Sequence, residues 1–273
     1  DALAIQKNLF AAAQDNYLLL MEHFPVFTLG VNGDMSNILA DPQSLGAEVV
    51  RVKRGGDVTY HGPGQLVGYP IMTVPGKRGG GMADTAAYVA SVEQLIIDAL
   101  NELGLSNCGR ISQYPGVWVD PNGPSPRKIA AIGVRISRGR SMHGFAINVN
   151  TDMSYFDAII PCGIKGKEVT SIHKEGLKLS LQQVTDAIST VAKSKWAGEK
   201  FDRADVAWKV RKEDLSAFTR GKGPGSYPLH IRSSEKTSES GMSNPLPQEP
   251  LKRKPQWMKV KANFGPEYRK IKQ

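Results

Sequence analysis

The chain has 273 residues, of which 40% are hydrophobic and 22% charged, and its formal net charge at pH 7 is +9. This length allows one or two domains with a substantial core, and the composition is typical of a soluble globular protein. No apolar run approaches the ~20 residues that span a bilayer, so a membrane span is not expected. The two cysteines, Cys108 and Cys162, do not suggest a disulfide scaffold and favour a reducing compartment.

The positive charge is concentrated near the end of the chain. Residues 249–273 contain eight Lys or Arg and two Glu, a local charge of +6, which leaves +3 for the other 248 residues. A charge this small on the rest of the chain does not predict nucleic-acid binding, so nucleic acid is not expected as a partner. At its other end the chain begins with Asp1 rather than Met, as expected of a trimmed sequence.

Hydrophobic periodicity and turn residues predict strands interleaved with a few helices. Helices are predicted over 1–14, over 85–103 after a cap at Asp84 or Thr85, over 181–192 after a cap at Ser180, and over 202–218. Strands are predicted over 17–21, 48–53, 66–74, 116–119, 129–136 and 142–150, with an extended piece on each side of Pro25 and with Cys108 in a loop. The range 221–250 is rich in Gly, Pro and Ser and predicts a flexible linker, so the folded unit is expected to end near Arg220.

One stretch, 54–65 with the sequence RGGDVTYHGPGQ, combines four glycines with Arg, Asp, Tyr and His side chains. Glycine allows a positive φ and lets a ligand approach the main chain, so this Gly-rich stretch predicts a loop that lies over a bound molecule. An ordinary Gly-rich hairpin is the alternative. Neither G-x-x-x-x-G-K-[ST] nor G-x-G-x-x-G is present, so a phosphate loop is not predicted.

Cys162 is the best candidate nucleophile, because Pro161 and Gly163 on either side are expected to expose its side chain at a strand end. A thiol must ionise before it attacks, and a nearby cation favours the thiolate. Lys128, at the foot of the predicted strand 129–136, is a candidate for that cation. An inert buried cysteine and a solvated turn lysine are the alternatives.

His61 and His143 are the other titratable candidates, each with a structural hydrogen-bonding role as the alternative, and His23 is interpreted as structural. The sequence contains no C-x-x-C, no H-E-x-x-H and no carboxylate pair at a useful spacing, so no metal and no cofactor are predicted. Small residues such as Ala131 and Gly133 are expected to leave room for a bound group beside their strand.

Five motifs follow one another in the order RGGDVTYHGPGQL, GVWV, RKIAAIGVRI, HGFAINVN and PCG. Through these motifs the region 1–181 resembles the lipoyl(octanoyl) transferases, which are octanoyl-[acyl-carrier-protein]:protein N-octanoyltransferases. The resemblance implies an α+β fold with a mixed β-sheet flanked by helices, a biotin/lipoate protein ligase-like catalytic domain. This catalytic domain is expected over 1–220, followed by the linker 221–250.

In the family that the chain resembles, a cysteine thioester acyl-enzyme carries the octanoyl group during lipoate biosynthesis and protein lipoylation. By this resemblance Cys162 is the nucleophile, and Lys128 lowers the pKa of its thiol and transfers protons. The implied substrate contacts lie on the Gly-rich stretch and on two neighbouring strands: Arg54, Gly55, Gly56, Asp57, Val58, Thr59, Tyr60, His61, Ala131, Ile132, Gly133, Gly144, Phe145 and Ala146.

The resemblance also implies partners. Octanoyl-acyl carrier protein is the expected donor, and the lipoyl domains of 2-oxoacid dehydrogenases and the glycine cleavage H protein are the expected acceptors. We expect an intracellular monomer without membrane attachment, in a bacterial cytoplasm or, in a eukaryote, in a mitochondrion or plastid.

The tail 251–273 resembles the amino-terminal segment of lipoyl synthases. A fusion of two consecutive enzymes of lipoate assembly, cut short within the second, is therefore expected, and a relic tail is the alternative. Two alternative functions stay open: an ATP-dependent lipoate or biotin protein ligase on the same fold, and a non-catalytic binding protein.

Overall fold

The computed structural model describes residues 2–12, 15–77, 80–161, 167–197, 201–207 and 230–232. The helices in these ranges are α1 (Ala2–Ala12), α2 (Thr85–Glu102), α3 (Ser154–Asp157) and α4 (Leu181–Trp196). The strands are β1 (Tyr17–Met21), β2 (Val26–Leu29), β3 (Glu48–Arg51), β4 (Val58–His61), β5 (Gln65–Ile71), β6 (Cys108–Ile111), β7 (Tyr114–Val119), β8 (Arg127–Ser137), β9 (Arg140–Asn148), β10 (Glu168–Val169), β11 (Asp205–Ala207) and β12 (His230–Arg232).

The large sheet has seven strands in the spatial order β1-β5-β9-β8-β7-β6, with β10 beside β8. The β10–β8 pair is parallel and the other pairs are antiparallel, so the sheet is mixed. Because side chains alternate along a strand, Leu18 packs into the main core with α2 and α4, while Tyr17 and Leu19 pack against α1 on the opposite face. The expected mixed sheet flanked by helices is confirmed.

A small sheet of three strands, in the order β3-β2-β4, carries part of the Gly-rich stretch. Strand β2 pairs with β3 in parallel and with β4 in antiparallel orientation. Phe27 of β2 and Val58 and Tyr60 of β4 form a smaller core together with Phe156 of α3. The Gly-rich stretch therefore contains strand β4 of the small sheet and ends at Gln65, the first residue of β5 in the large sheet.

The ends of the long helices match the predicted caps. Asp84 accepts a hydrogen bond from the Ala87 N–H at 3.0 Å, and Gly104 has a φ of 94°, the left-handed conformation common just after a helix. At the start of α4, Ser180 and Gln183 form a capping box. The caps predicted at Asp84 and at Ser180 are confirmed.

Three predicted elements differ from the structure. Cys108, predicted in a loop, begins β6, and the predicted loop 54–65 contains strand β4. The helix predicted over 202–218 is wrong at its start, because β11 is a strand that pairs with β12, and residues 208–218 lie outside the described ranges. In each case the strand forms because another segment pairs with it, and the local periodicity of the sequence does not show this partner.

The domain limits 1–220, 221–250 and 251–273 stay predictions. Three residues within the predicted linker, His230–Arg232, form β12, and the tail 251–273 lies outside the described residues. Of the helices described, none is both long and apolar enough to cross a membrane.

Gly68 of β5 has no room for a side chain, since a Cβ there would be 2.1 Å from the Phe145 ring. We expect Gly68→Ala to lower the free energy of unfolding by about 1–3 kcal/mol, because the packed ring has to move. Gly80→Ala is the matched control, because a Cβ at Gly80 meets nothing within 4 Å. Urea denaturation of the two variants measures the difference. Equal stabilities would show that the ring moves without cost.

Candidate active site

Lys128, near the start of β8, has a buried side chain that is 6% exposed. Its Nζ donates to the Pro115 carbonyl oxygen at 3.1 Å and lies 4.8 Å from the centre of the Trp118 ring. Gly116 makes space for this side chain, because a Cβ there would be 3.4 Å from Lys128 Cε. The predicted place of Lys128 at the foot of a strand is confirmed, and the alternative of a solvated turn lysine is wrong. Strands β7 and β8 hold an ammonium group in a buried place at the end of the large sheet.

Cys162 lies outside the described residues, so its distance from the lysine stays a prediction. The segment that leads to it is anchored to the small sheet. The Ile160 N–H donates to the Asn37 carbonyl oxygen at 2.8 Å, and the Leu39 N–H donates to the Ala158 carbonyl oxygen at 2.8 Å. Backbone hydrogen bonds to the turn over 35–39 therefore fix the chain as far as Ile160, two residues before Cys162.

Cys108, the cysteine that the structure describes, is half-buried and forms no disulfide. Burial raises the pKa of its thiol to about 12, and the charge of Glu175 adds to this effect. It is therefore a neutral thiol at neutral pH and a poor nucleophile. Within the described ranges no group of three or more His, Cys, Asp or Glu side chains is placed to hold a metal ion.

Arg54 joins the two sheets. Its guanidinium donates to the carbonyl oxygen of Thr28 in β2 at 2.6 Å and to the Thr28 hydroxyl at 2.9 Å. It also donates to the Gly55 carbonyl oxygen at 2.9 Å, and the Gly55 N–H donates to the Val134 carbonyl oxygen of β8 at 2.9 Å. The first turn of the Gly-rich stretch is therefore a bridge from the small sheet to the large sheet.

Glycines let this bridge lie directly on the large sheet. A Cβ at Gly133 of β8 would be 2.9 Å from Arg54 Cδ and 3.0 Å from the Gly55 carbonyl oxygen. A Cβ at Gly144, which pairs with Gly133 across β8 and β9, would be 2.1 Å from the Gly68 carbonyl oxygen. The structure brings these predicted site residues together, but at Gly133 and Gly144 the protein itself occupies the space expected for a ligand.

The other predicted strand residues divide between the two faces of the sheet. Ile132 and Phe145, which pair with each other, belong to the face that packs in the main core. Ala131 and Ala146 form the next pair, on the face that carries the bridge. Of the small residues on that face, Ala131 and Ala146 are the pair nearer to Lys128 along the strands.

The side chains of β4 also divide between two environments. Val58 and Tyr60 are buried in the smaller core, and Tyr60 stacks on Tyr155 with ring centres 4.3 Å apart. Contacts from Val58 and Tyr60 to a substrate would therefore come from the backbone. Thr59 and His61 point to the opposite side, as alternation along a strand requires.

Asp57 supports a neighbouring turn. Its carboxylate accepts hydrogen bonds from the Val58 N–H at 2.7 Å and from Asn37 Nδ2 at 2.5 Å. Gly56 before it has a φ of 85°, a conformation that favours glycine. The Asp57 side chain thus orients the same turn that anchors the segment before Cys162.

Three histidines in this region have lowered pKa values. Burial is the main cause for each of them, and the charge of Arg54 adds to it for two, so that the pKa of His61 is about 3 and that of His143 about 4. The rings of His61 and His23 have centres 5.9 Å apart, and His23 shares a hydrogen bond of 2.7 Å with the Tyr69 hydroxyl. At neutral pH these rings are uncharged, so they act as hydrogen-bonding groups rather than as cations.

His143 also connects the first helix to the site. It has a φ of 58°, which is uncommon for a residue other than glycine. Its N–H donates to the Oε1 atom of Gln6, a buried residue of α1, at 2.9 Å. The backbone at His143 is therefore held from outside its own strand.

Sequence reasoning missed several side chains that position this site. Thr28 and Trp118 gave no signal, because a threonine in a strand and a tryptophan in GVWV are ordinary core-forming residues. Gln65 and Asn148 are amide side chains beside apolar strand residues, and the Gln65 amide nitrogen donates to the Asn148 amide oxygen at 2.9 Å. Their polarity within apolar runs is the signal that could have found them.

The chain matches known proteins of one family. The family model of the lipoyl protein ligase A/B catalytic domain matches residues 1–193. The octanoyltransferase of Myxococcus xanthus is 43% identical over 220 residues, which are 79% of this chain and 59% of that protein. The octanoyltransferase of Solibacter usitatus is 48% identical over 190 residues, which are 67% of this chain and 81% of that protein. The chain therefore spans less than two thirds of the Myxococcus protein and more than two thirds of the Solibacter protein.

A solved structure shares the fold at low sequence identity. The bi-partite lipoate protein ligase of Thermoplasma acidophilum, described together with its E2 lipoyl domain, superposes with a TM-score of 0.55 at 16% identity and covers 70% of this chain and 76% of that chain. The ligase-like fold and the family that the five motifs implied are both confirmed. The chain belongs to the octanoyltransferases, a family of acyltransferases built on the lipoyl protein ligase A/B catalytic domain.

Proposed function

We propose that the protein transfers an octanoyl group from octanoyl-acyl carrier protein to a lysine of lipoyl-domain proteins, through a thioester on Cys162, in lipoate biosynthesis. The observation that carries this proposal is the buried ammonium group of Lys128, near the start of β8. The chain that holds this group belongs to the octanoyltransferases. The acceptors are the lipoyl domains of 2-oxoacid dehydrogenases and the glycine cleavage H protein. The protein acts as an intracellular monomer.

Lys128 supplies the charge that the nucleophile needs. A nearby cation lowers the pKa of a thiol and favours its reactive thiolate form. The Pro115 carbonyl and the Trp118 ring orient the ammonium group, and burial strengthens its attraction for an anion. A Cys162 thiol beside this group would ionise to the thiolate at neutral pH, whereas the Cys108 thiol stays neutral.

The reaction then takes two balanced steps. The Cys162 sulfur attacks the carbonyl carbon of the donor thioester, so that a new C–S bond forms and the donor C–S bond breaks. Lys128 passes the proton of the Cys162 thiol to the carrier thiolate as it leaves. The acceptor lysine, as a neutral amine, attacks the resulting acyl-enzyme. A C–N bond forms, the C–S bond to Cys162 breaks, and the amine proton returns to the sulfur through Lys128. Because a thioester is already activated, neither step uses ATP or a metal.

The sheet face near Lys128 suits an apolar acyl chain. Ala131 and Ala146 pair with each other on the face that carries the bridge, and each methylene of an octanoyl chain buried there would contribute about 0.8 kcal/mol. The bridge at Arg54 covers the same face further along the strands. The acyl group would therefore lie between the bridge and the ammonium group.

Mixing the protein with octanoyl-acyl carrier protein should add the mass of one octanoyl group to the peptide that contains Cys162. We expect Cys162→Ala to abolish this addition, and we expect Cys108→Ala to keep it, because the Cys108 thiol stays neutral. Intact-mass analysis with peptide mapping measures both results. A requirement for ATP and free octanoate, or full activity of Cys162→Ala, would indicate an ATP-dependent lipoate or biotin protein ligase.

Lys128→Met should slow thioester formation about 100-fold, because it removes the cation and the proton relay while it keeps the volume of the side chain. The matched control is Lys195→Met, whose ammonium group pairs with Asp98 at 2.6 Å on the helix surface. The rate of octanoyl loading at fixed donor concentration measures both variants. Loading of Lys128→Met at the rate of the unaltered chain would contradict the role of the lysine.

Removal of residues 249–273 should leave octanoyl transfer unchanged, because the described site lies wholly before residue 200. The same truncated chain serves to test the alternative of a binding protein. RNA or DNA binding by the whole chain that weakens steeply with salt and disappears on truncation would favour that alternative.

A further inference from the structure

We propose that Gln65 and Asn148 are positioning residues that hold His61 as its Nδ1–H tautomer and leave Nε2 as a hydrogen-bond acceptor for the attacking lysine amine. This inference rests on the proposed function, because the amine is the nucleophile of its second step. Gln65 begins β5 and Asn148 ends β9, and the two residues pair directly across these strands.

The partners of the two side-chain amides decide their orientation. Asn148 Nδ2 donates to the Thr170 carbonyl oxygen at 2.9 Å, and Gln65 Nε2 donates to the Tyr60 carbonyl oxygen at 3.1 Å. A backbone carbonyl accepts and cannot donate, so these two contacts determine which end of each amide is the nitrogen. The Asn148 oxygen is then the acceptor for Gln65 Nε2, at 2.9 Å.

The orientation of the Gln65 amide also determines the tautomer of His61. The remaining polar atom of the Gln65 side chain is Oε1, which lies 2.8 Å from His61 Nδ1. An amide oxygen only accepts, so Nδ1 carries the hydrogen. In a neutral ring Nε2 then has the unshared electron pair.

Burial makes this arrangement hard to reverse. The side-chain network is almost closed to water, since Gln65 is 2%, Asn148 4% and Thr170 2% exposed. Turning the Gln65 amide would place its oxygen against two other oxygens and leave the His61 N–H without its acceptor. Each buried group left unsatisfied costs about 1–3 kcal/mol, so the other tautomer has a small population.

The ring is also kept neutral. Burial lowers the pKa of His61 to about 3, and the charge of Arg54 adds to the effect of burial. A ring with this pKa accepts a hydrogen bond at neutral pH but does not retain the proton.

An acceptor of this kind suits the second step and not the first. In the first step the nucleophile is an anion, which an ammonium group stabilises and an unshared electron pair does not. In the second step the nucleophile is a neutral amine with N–H bonds, and an acceptor can aim its nitrogen at the thioester carbon. Because His61 does not keep the amine proton, that proton remains available for the sulfur of Cys162.

The hydrogen-bond network also ends at the strand that carries the ammonium group. The Thr170 N–H donates to the Lys128 carbonyl oxygen at 2.9 Å. A series of hydrogen bonds through Gln65, Asn148 and Thr170 thus connects His61 to the backbone of Lys128. The same hydrogen-bond network therefore connects the acceptor His61 to the strand that carries the cation Lys128. The first step of the proposed reaction uses the cation, and the second uses the acceptor.

Two variants of His61 separate an acceptor role from a purely structural one. The amide nitrogen of His61→Asn can replace Nδ1–H toward Gln65, but nothing replaces Nε2, whereas the amide oxygen of His61→Gln reaches the Nε2 position. We expect His61→Asn to slow transfer from the preloaded acyl-enzyme to a lipoyl domain about 100-fold, and His61→Gln to restore part of that loss. Faster transfer by His61→Asn than by His61→Gln would overturn the proposal.

The matched control for these variants is His173→Asn. His173 is exposed, and its ring nitrogen lies 3.0 Å from the Leu179 carbonyl oxygen, away from the network. This control should transfer the octanoyl group at the rate of the unaltered chain, which supports a specific role for His61. An equal loss in His173→Asn would overturn that role.

Spectroscopy tests the tautomer without turnover. In long-range ¹H–¹⁵N spectra of the full chain with labelled histidines, the His61 ring, one of five, should show a protonated Nδ1 and an unprotonated Nε2 at neutral pH. Gln65→Met should remove this signature, and a protonated Nε2 in the unaltered chain would overturn the proposal.

Loading distinguishes the two levels of failure. An unaltered chain that takes up no octanoyl group overturns the proposed function, and the role toward the amine with it. If the unaltered chain takes up the octanoyl group and the His61→Asn variant transfers it to a lipoyl domain at the same rate as the unaltered chain, this inference alone is overturned.

Discussion

The arrangement of the site depends on the buried guanidinium group of Arg54. It donates to the backbone and the hydroxyl of Thr28 in the small sheet, and it lies on Gly133 of the large sheet. Hydrogen bonds to a charged group contribute about 1.5–3 kcal/mol each, and a buried charge that loses a partner is strongly destabilising. The two sheets and the bridge between them therefore keep one relative position. That position places the second half of the Gly-rich stretch, with His61, beside the strands that carry Lys128 and Asn148.

Around this bridge the protein keeps two kinds of group apart. Lys128 is a cation held by a carbonyl oxygen and an aromatic face. The histidines near Arg54 are neutral, because burial and neighbouring positive charge lower their pKa values. The proposed transfer from sulfur to nitrogen would use both, since a cation stabilises a thiolate and an acceptor orients an amine. In the proposed reaction, the separation of these environments would let one site provide each group in turn.

Close backbone approach explains why glycines recur in the motifs. At Gly133 and Gly144 a Cβ would collide with the bridge or with a neighbouring strand. Small residues such as Gly133 predict room for a ligand, but the protein itself uses part of this room. Ala131 and Ala146 are the small residues of that face beside which the proposed function places the acyl chain. The same five motifs nevertheless led to the right family, because their order along the chain is specific even where the physical reason for each glycine was not yet visible.

By itself, the sequence determined the features that depend on near neighbours. The strand over 17–21, the caps of α2 and α4 and the two strands that correspond to β8 and β9 follow from periodicity and from side chains three or four residues apart. The tertiary structure decided what depends on distant pairing: that β4 and β11 are strands, that Tyr60 belongs to a core while His61 points to the opposite side, and that Gln65 meets Asn148. A hydrogen bond between residues 83 positions apart leaves no trace in local periodicity. Only the folded chain brings both partners to one place and removes the water that would otherwise satisfy them.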